Sequence, residues 1–293
     1  MKFTYHATMC APDQYLPLAI AVEEAGFDGF TFPDSICYPQ EGSDVYPYND
    51  DGTREFLDGV PFLEPFVAIP YLAARTEKLH FTTSVIKLAI RQPVIVAKQL
   101  ATLAVMLGDR FAFGVGISPW PEDFEVCQVP WEQRGKRMDE MMEILNGLMS
   151  GEYFGYEGEI FNIPPIKLCP VPEHHVPLLV GGHAKPALRR AARLGDGWVS
   201  AGSSLEELNA MIGQIEEFRQ EYGRDQGDFQ YHAMTEAAYS QQGLEDLAEA
   251  GVTEVIIAFR NPYDATPDTQ TVEDKVGMIN WYAENVIRPY RGT

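Results

Sequence analysis

Short runs of apolar and β-branched residues alternate along the whole chain with longer stretches in which apolar residues return every third or fourth position. The runs are KFTYH (2–6), DGFTF (28–32), LHFTTSV (79–85), FAFGVG (111–116), PLLVGG (177–182), GWVSA (197–201), FQYHAMT (229–235) and EVIIAF (254–259), eight in all. Among the stretches between them, the clearest sets Met138, Met141, Met142, Leu145, Leu148 and Met149 on one helix face, a pattern of core packing. Another begins at Pro93, carries Val96, Leu100, Leu103, Ala104 and Leu107 along one side, and stops at Gly108. Repeated strand–helix units imply a parallel sheet, and eight of them close into a barrel. The expected fold is α/β, a single TIM-type (β/α)8 barrel domain over residues 1–293, because such a barrel takes roughly 250 residues. An open doubly wound sheet usually shows a G-x-G-x-x-G turn after its first strand, where this chain reads HATMCAP.

Two insertions break the alternation. Residues 36–62, after the second strand, mix Tyr38, Tyr46, Tyr48, Phe56 and Phe62 with Asp44, Asp50, Asp51, Glu55 and Asp58. A connection of that length is expected to be a lid over the barrel mouth; the other reading is that its aromatic rings are buried at a dimer contact. Residues 150–176, after the fourth strand, contain YFGYEGEIFNI, which reads as a hairpin around Gly158, then a stretch too rich in proline for a helix.

Charge narrows the partners. With 22 basic and 43 acidic residues the formal charge is −21, which repels nucleic-acid phosphates and anionic lipid surfaces. No run approaches the roughly 20 apolar residues that span a bilayer, and the first residues lack the pattern of a secretory signal, so a cytoplasmic protein is expected. Cys10, Cys37, Cys127 and Cys169 are far apart with no C-x-x-C pair, which fits reduced thiols and no metal site.

Three places carry candidate chemistry. Gly114 and Gly116 end the fourth strand, where the missing Cβ admits either a flat ring or tight packing between strands. In VGGHAKPALRR, Gly181, Gly182, His183 and Ala184 precede a helix start, whose unpaired N–H groups and positive dipole end favour an anion. His6 ends the first strand, as either an acid–base group at the mouth or a satisfied core residue.

Four segments taken together resemble the luciferase-like superfamily of barrels that use FMN or the deazaflavin coenzyme F420. They are EEAGFDGFTFPDS (23–35), PVIVAKQLATLAVMLGDRFAFGVGIS (93–118), EQRGKRMDEMMEILNGLMSGEYFGYEGEIFNI (132–163) and PLLVGGHAKPALRRAARLGDGWVSAG (177–202). The resemblance implies cofactor contacts at Asp34, Ser84, Val85, Gly114, Gly116 and Ile117, with a phosphate at Gly181, Gly182, His183 and Ala184. It also implies a non-proline cis peptide at Ser84–Val85. In relatives resembling sugar-phosphate dehydrogenases a histidine follows the acid and a glutamate donor follows the glycines. Here Ser35 follows Asp34, and Ile117, Ser118, Pro119 and Trp120 follow Gly116, which argues against a glucose-6-phosphate reaction. The implied activity is hydride transfer between F420 and a small, fairly apolar substrate, with His6 as proton donor and a homodimer as the assembly. An FMN-dependent monooxygenase and a barrel that binds flavin without turnover are the alternatives. A metal-dependent hydrolase is disfavoured, since the strand ends lack a cluster of His and Asp.

Overall fold

The computed structural model describes residues 1–42, 46, 52–264 and 266–293, so Asp44, Tyr48, Asp50 and Asp51 of the long loop lie outside the described residues. In chain order, β1 (Lys2–His6), α1 (Tyr15–Ala25), β2 (Gly29–Phe32), α2 (Pro65–Ala73), β3 (His80–Thr83), β4 (Ile86–Lys87), α3 (Pro93–Leu107) and β5 (Phe111–Gly116) form the first half. Next come α4 (Pro121–Val126), α5 (Arg134–Leu148), β6 (Phe154–Glu157), β7 (Asn162–Ile166), β8 (Leu178–Gly181), α6 (Lys185–Leu194), β9 (Gly197–Ser200), α7 (Leu205–Glu221), β10 (Gln230–Ala233), α8 (Gln241–Glu249) and β11 (Glu254–Ile257). Helices α9 (Val272–Tyr282) and α10 (Arg288–Arg291) follow.

Strands β1, β2, β3, β5, β8, β9, β10 and β11 pair in parallel, each with the next, and β11 returns to β1. The ring is closed, a (β/α)8 barrel built on the eight runs read from the sequence. The run at 79–85, expected to be continuous, is broken. From Phe81 to Ile86 the chain advances five residues while its partner advances four, from Phe111 to Val115, so one extra residue bulges at Ser84–Val85. Beyond the bulge, β4 resumes the pairing, with Lys87 opposite Gly116.

Alternation along the strands creates two cores. Phe3, Tyr5, Phe30, Phe32, Phe81, Phe111 and Phe113 face outward onto the helices, where Leu18, Ile69, Leu72, Met138, Met141, Met142, Leu145 and Leu148 meet them. Inside the barrel, Ala112, Leu179, Val199 and Ile256 form a separate cluster against which Val85 and Met234 pack. On the same inward face, Glu254 accepts from the Thr4 hydroxyl at 2.6 Å and pairs with His232 Nδ1 at 3.3 Å. The second insertion contains the antiparallel hairpin β6–β7 with Gly158 in its turn. Buried Glu140 of α5 anchors that turn by accepting from the N–H groups of Glu159, Ile160 and Phe161 at 2.9–3.1 Å. Among the described residues no helix is long and apolar enough to cross a membrane.

Candidate active site

The C-terminal ends of the strands surround a cavity of about 700 Å³, a volume suited to a cofactor and a small molecule together. Val85, Val199, Met234 and Ile256 form its apolar floor, and His6 opens onto it. The Ser84–Val85 peptide is cis, at the position the resemblance indicated. Thr31 steadies the bulge by donating to Ser84 Oγ at 3.0 Å, and Phe32 O accepts the Ser84 N–H at 2.8 Å.

Two glycines make room for Val85. A Cβ on Gly116 would stand 2.5 Å from one Val85 methyl, and one on Gly181 would stand 2.8 Å from the other, so the bulge holds its place only because both side chains are missing. Gly114, expected to approach a ring, does something else. A Cβ there would lie 1.8 Å from Thr83 O, and the residue does not line the cavity, so its role is strand packing.

One wall is built for an anion. Gly181, Gly182, His183 and Ala184 line it just before α6, whose N-terminus has no side-chain cap. Gly182 adopts a left-handed φ of 118°, with its carbonyl held by Trp198 Nε1 at 2.9 Å. The His183 ring is fixed by accepting the Ala201 N–H at its Nε2 (3.1 Å), and burial lowers its pKa. Opposite, α5 also begins uncapped, and Gln133, Arg134 and Gly135 line the cavity. The Arg134 guanidinium lies 3.6 Å over the Trp131 ring, and no carboxylate pairs with it among the described residues. Neighbouring Arg190 shares the single charge of Asp139 with Arg193, which Asp139 meets at 2.7 Å, so that cluster keeps one net positive charge. Two positive helix ends and the Arg134 guanidinium therefore converge on this wall.

The other wall joins charge to aromatic surface. Asp34, expected to touch the cofactor, lines the cavity with its carboxylate fully engaged. Arg91 binds both of its oxygens at 2.8 and 3.0 Å, and the Lys87 N–H donates at 2.8 Å. Asp34 therefore anchors β4. The Lys87 ammonium reaches Asp123 Oδ2 at 2.7 Å, and the Ser118 hydroxyl donates to the same oxygen. Above them the Tyr46 ring stacks on Trp120 (5.2 Å, 15° between planes), with Phe56 and Tyr263 against Tyr46. Phe56 and Phe62 bring the described part of the 36–62 loop to the cavity wall.

His6 is buried, and its Nδ1 accepts the Thr8 N–H at 3.0 Å, which assigns the ring proton to Nε2. Burial lowers its pKa to about 4, so the ring is uncharged at neutral pH.

The model of the family described as luciferase-like monooxygenase matches residues 4–278. The chain belongs to that family. An uncharacterized protein of Mycobacterium tuberculosis (strain ATCC 25618 / H37Rv) is 46% identical over 287 residues, 98% of this chain and 99% of that one. An F420-dependent secondary alcohol dehydrogenase, solved in complex with an F420-acetone adduct, superposes with a TM-score of 0.76 at 18% identity over 99% of both chains. Monooxygenase RslO1 from Streptomyces bottropensis superposes at 0.74 and 17% identity, covering 99% of this chain and 100% of its own. At such identities the structural likeness speaks for the fold.

Sequence reading placed Asp34, Ser84, Val85, Gly116, Ile117, Gly181, Gly182, His183, Ala184 and His6 around one site, and all of these line the cavity. It missed Lys87, Arg91, Ser118, Asp123 and Arg134. The available signal was the pair of basic residues in VIKLAIRQP, four apart in an otherwise apolar segment just after a barrel strand.

Proposed function

We propose that the protein is an oxidoreductase that transfers a hydride between coenzyme F420 and a small, fairly apolar organic substrate. The observation that carries this reading is the glycine-flanked Val85 bulge, set in one cavity between an anion-binding wall and an aromatic wall. The residues fit the group. Arg134 and the N-termini of α5 and α6 would hold its phosphate, while Val85, Val199, Met234 and Ile256 would back its ring. F420 bound there would supply a ring carbon that accepts or gives up a hydride. His6 presents an uncharged Nε2–H donor to the cavity, and the aromatic wall excludes water from the reacting atoms.

The same reading takes residues 1–293 as one domain and places it in the cytoplasm, where its free cysteines stay reduced. It also takes the assembly to be a homodimer, supported by exposed apolar side chains on the packed pair α2 and α3. Parallel titrations of the purified protein with F420 and FMN test the cofactor. Tighter binding of F420 is expected, and tighter binding of FMN would move the reading to the flavin monooxygenases.

A further inference from the structure

Lys87 is placed with more care than a surface lysine receives. Val85, at the bulge, and Lys87, on β4, both line the cavity, while Ile86 between them is fully buried away from it. The backbone of Lys87 is clamped twice: its N–H donates to Asp34, and its carbonyl accepts from Arg91 Nη1 at 2.8 Å. Asp123 takes one ammonium hydrogen, and the Trp120 N–H in turn donates to Ser118 Oγ at 3.1 Å, tying this cluster to the aromatic wall. An ammonium has three donors, and no second acceptor takes one among the described residues. A buried ion pair adds little to folding that apolar side chains would not match, so its place at the cavity calls for another role.

Charge bookkeeping indicates what the free donors meet. Lys87 is offset by Asp123 and Arg91 by Asp34, and the Glu64 carboxylate lies within electrostatic reach of the second pair, so this end of the cavity has no surplus of positive charge, unlike the Arg134 end. A carboxylate would leave an uncompensated negative charge here, in a protein already at −21. An uncharged oxygen would not.

We propose that Lys87 selects the substrate. Its ammonium donates to a neutral oxygen, a ketone or aldehyde carbonyl or the corresponding hydroxyl, on a flat apolar molecule whose body lies against Trp120 and Tyr46. The substrate class rests on the hydride-transfer reading of this cavity, but the binding preference stands without cofactor.

Three probes on one skeleton test it: 2-acetylnaphthalene, 2-ethylnaphthalene and 2-naphthoate, measured by equilibrium dialysis without cofactor and with saturating inorganic phosphate, which occupies the anion wall at α5 and α6. In the wild type the ketone is expected to bind about tenfold tighter than the hydrocarbon, the gain of one charge-assisted hydrogen bond, with naphthoate weakest. In the double variant Lys87→Met/Asp123→Asn, which leaves no lone buried charge, the ketone falls to the hydrocarbon's level while the hydrocarbon is unmoved. Lys87→Arg keeps the preference in part. A ketone preference that survives the double variant overturns the assignment, and so does a wild type that binds naphthoate most tightly. The wild-type ranking decides even if the double variant does not fold. Failure of F420 to bind the wild type in a separate fluorescence titration would overturn the hydride-transfer reading and leave the probe ranking to judge Lys87 alone.

Discussion

His6 shows how burial sets both chemistry and stability. Its imidazole titrates at about 4 when folded and near 6.5 when unfolded, so between those values the unfolded chain binds a proton that the folded chain refuses. Its contribution to stability is whole above pH 6.5 and is lost as pH falls, reaching about 3 kcal/mol at pH 4. Glu254 acts in a lower window. Burial alone would raise its pKa, but His232, the Thr4 hydroxyl and Lys2 together outweigh that and hold it at about 2, so its share is lost only below the ordinary carboxylate range. Urea midpoints measured from pH 7 to pH 4 are expected to drop in the wild type and to drop less in His6→Gln; equal slopes would mean the folded imidazole takes up its proton as readily as the unfolded one. The glycines separate in the same way by what surrounds them. Gly114→Ala drives a Cβ into the Thr83 backbone, and a cost of about 3 kcal/mol in folding stability is expected. Gly116→Ala meets only the Val85 side chain, so about 1 kcal/mol of stability and about tenfold in F420 affinity are expected to go. Melting and titration of the two variants check this contrast, and a Gly116→Ala protein with unchanged affinity would detach the bulge from cofactor binding.

Among the elements, α5 and α6 present their uncapped N-termini to the same wall, and the Arg134 side chain lining it pairs with no carboxylate among the described residues, which leaves its charge to offer a phosphate. Arg134→Met is therefore expected to weaken F420 binding about tenfold while leaving the urea midpoint nearly unchanged, since a half-buried guanidinium with no carboxylate partner adds little to folding and Met keeps an apolar contact with Trp131. An unchanged dissociation constant would move the phosphate elsewhere. The α6 half of this wall was legible because a G-G turn before a helix with Pro186 in its first turn is a local signal. The α5 half was not, since Gln133 takes its left-handed conformation (φ 57°) without any glycine to announce it. The strands were legible for a similar reason: turn formers bound each short run, and alternation sends Phe3 and Tyr5 outward and Thr4 and His6 inward. Lys87 and Arg91 were not, because their partners Asp123 and Asp34 lie 36 and 57 residues away, and an ion pair across that separation leaves no period in the sequence.

At the scale of the whole molecule, charge and apolar surface act in opposite directions on association. Val67 and Tyr71 stand one turn apart on α2, and Ile95, Val105 and Met106 lie along the outer face of α3; their exposures run from 44% for Val105 to 73% for Val67. These helices pack side by side, so the exposed apolar side chains stand on neighbouring helices at the outside of the barrel. Two copies joined there would bury that surface, but each brings a formal charge of −21 to the encounter. Repulsion between them reaches about 30 Å at 0.01 M salt and only about 8 Å at 0.15 M, while burial of apolar area is hardly changed over this range. Dimerisation is therefore expected to strengthen with salt, the opposite of an interface held by ion pairs. Light scattering at micromolar concentration should show more dimer at 0.15 M than at 0.01 M salt. The variant Tyr71→Glu/Met106→Glu, which puts charge into the patch without touching the core, should stay monomeric at both. A wild type that is monomeric throughout would remove the homodimer. A dimer that dissociates as salt rises would place the contact on a charged face of the barrel instead of on α2 and α3.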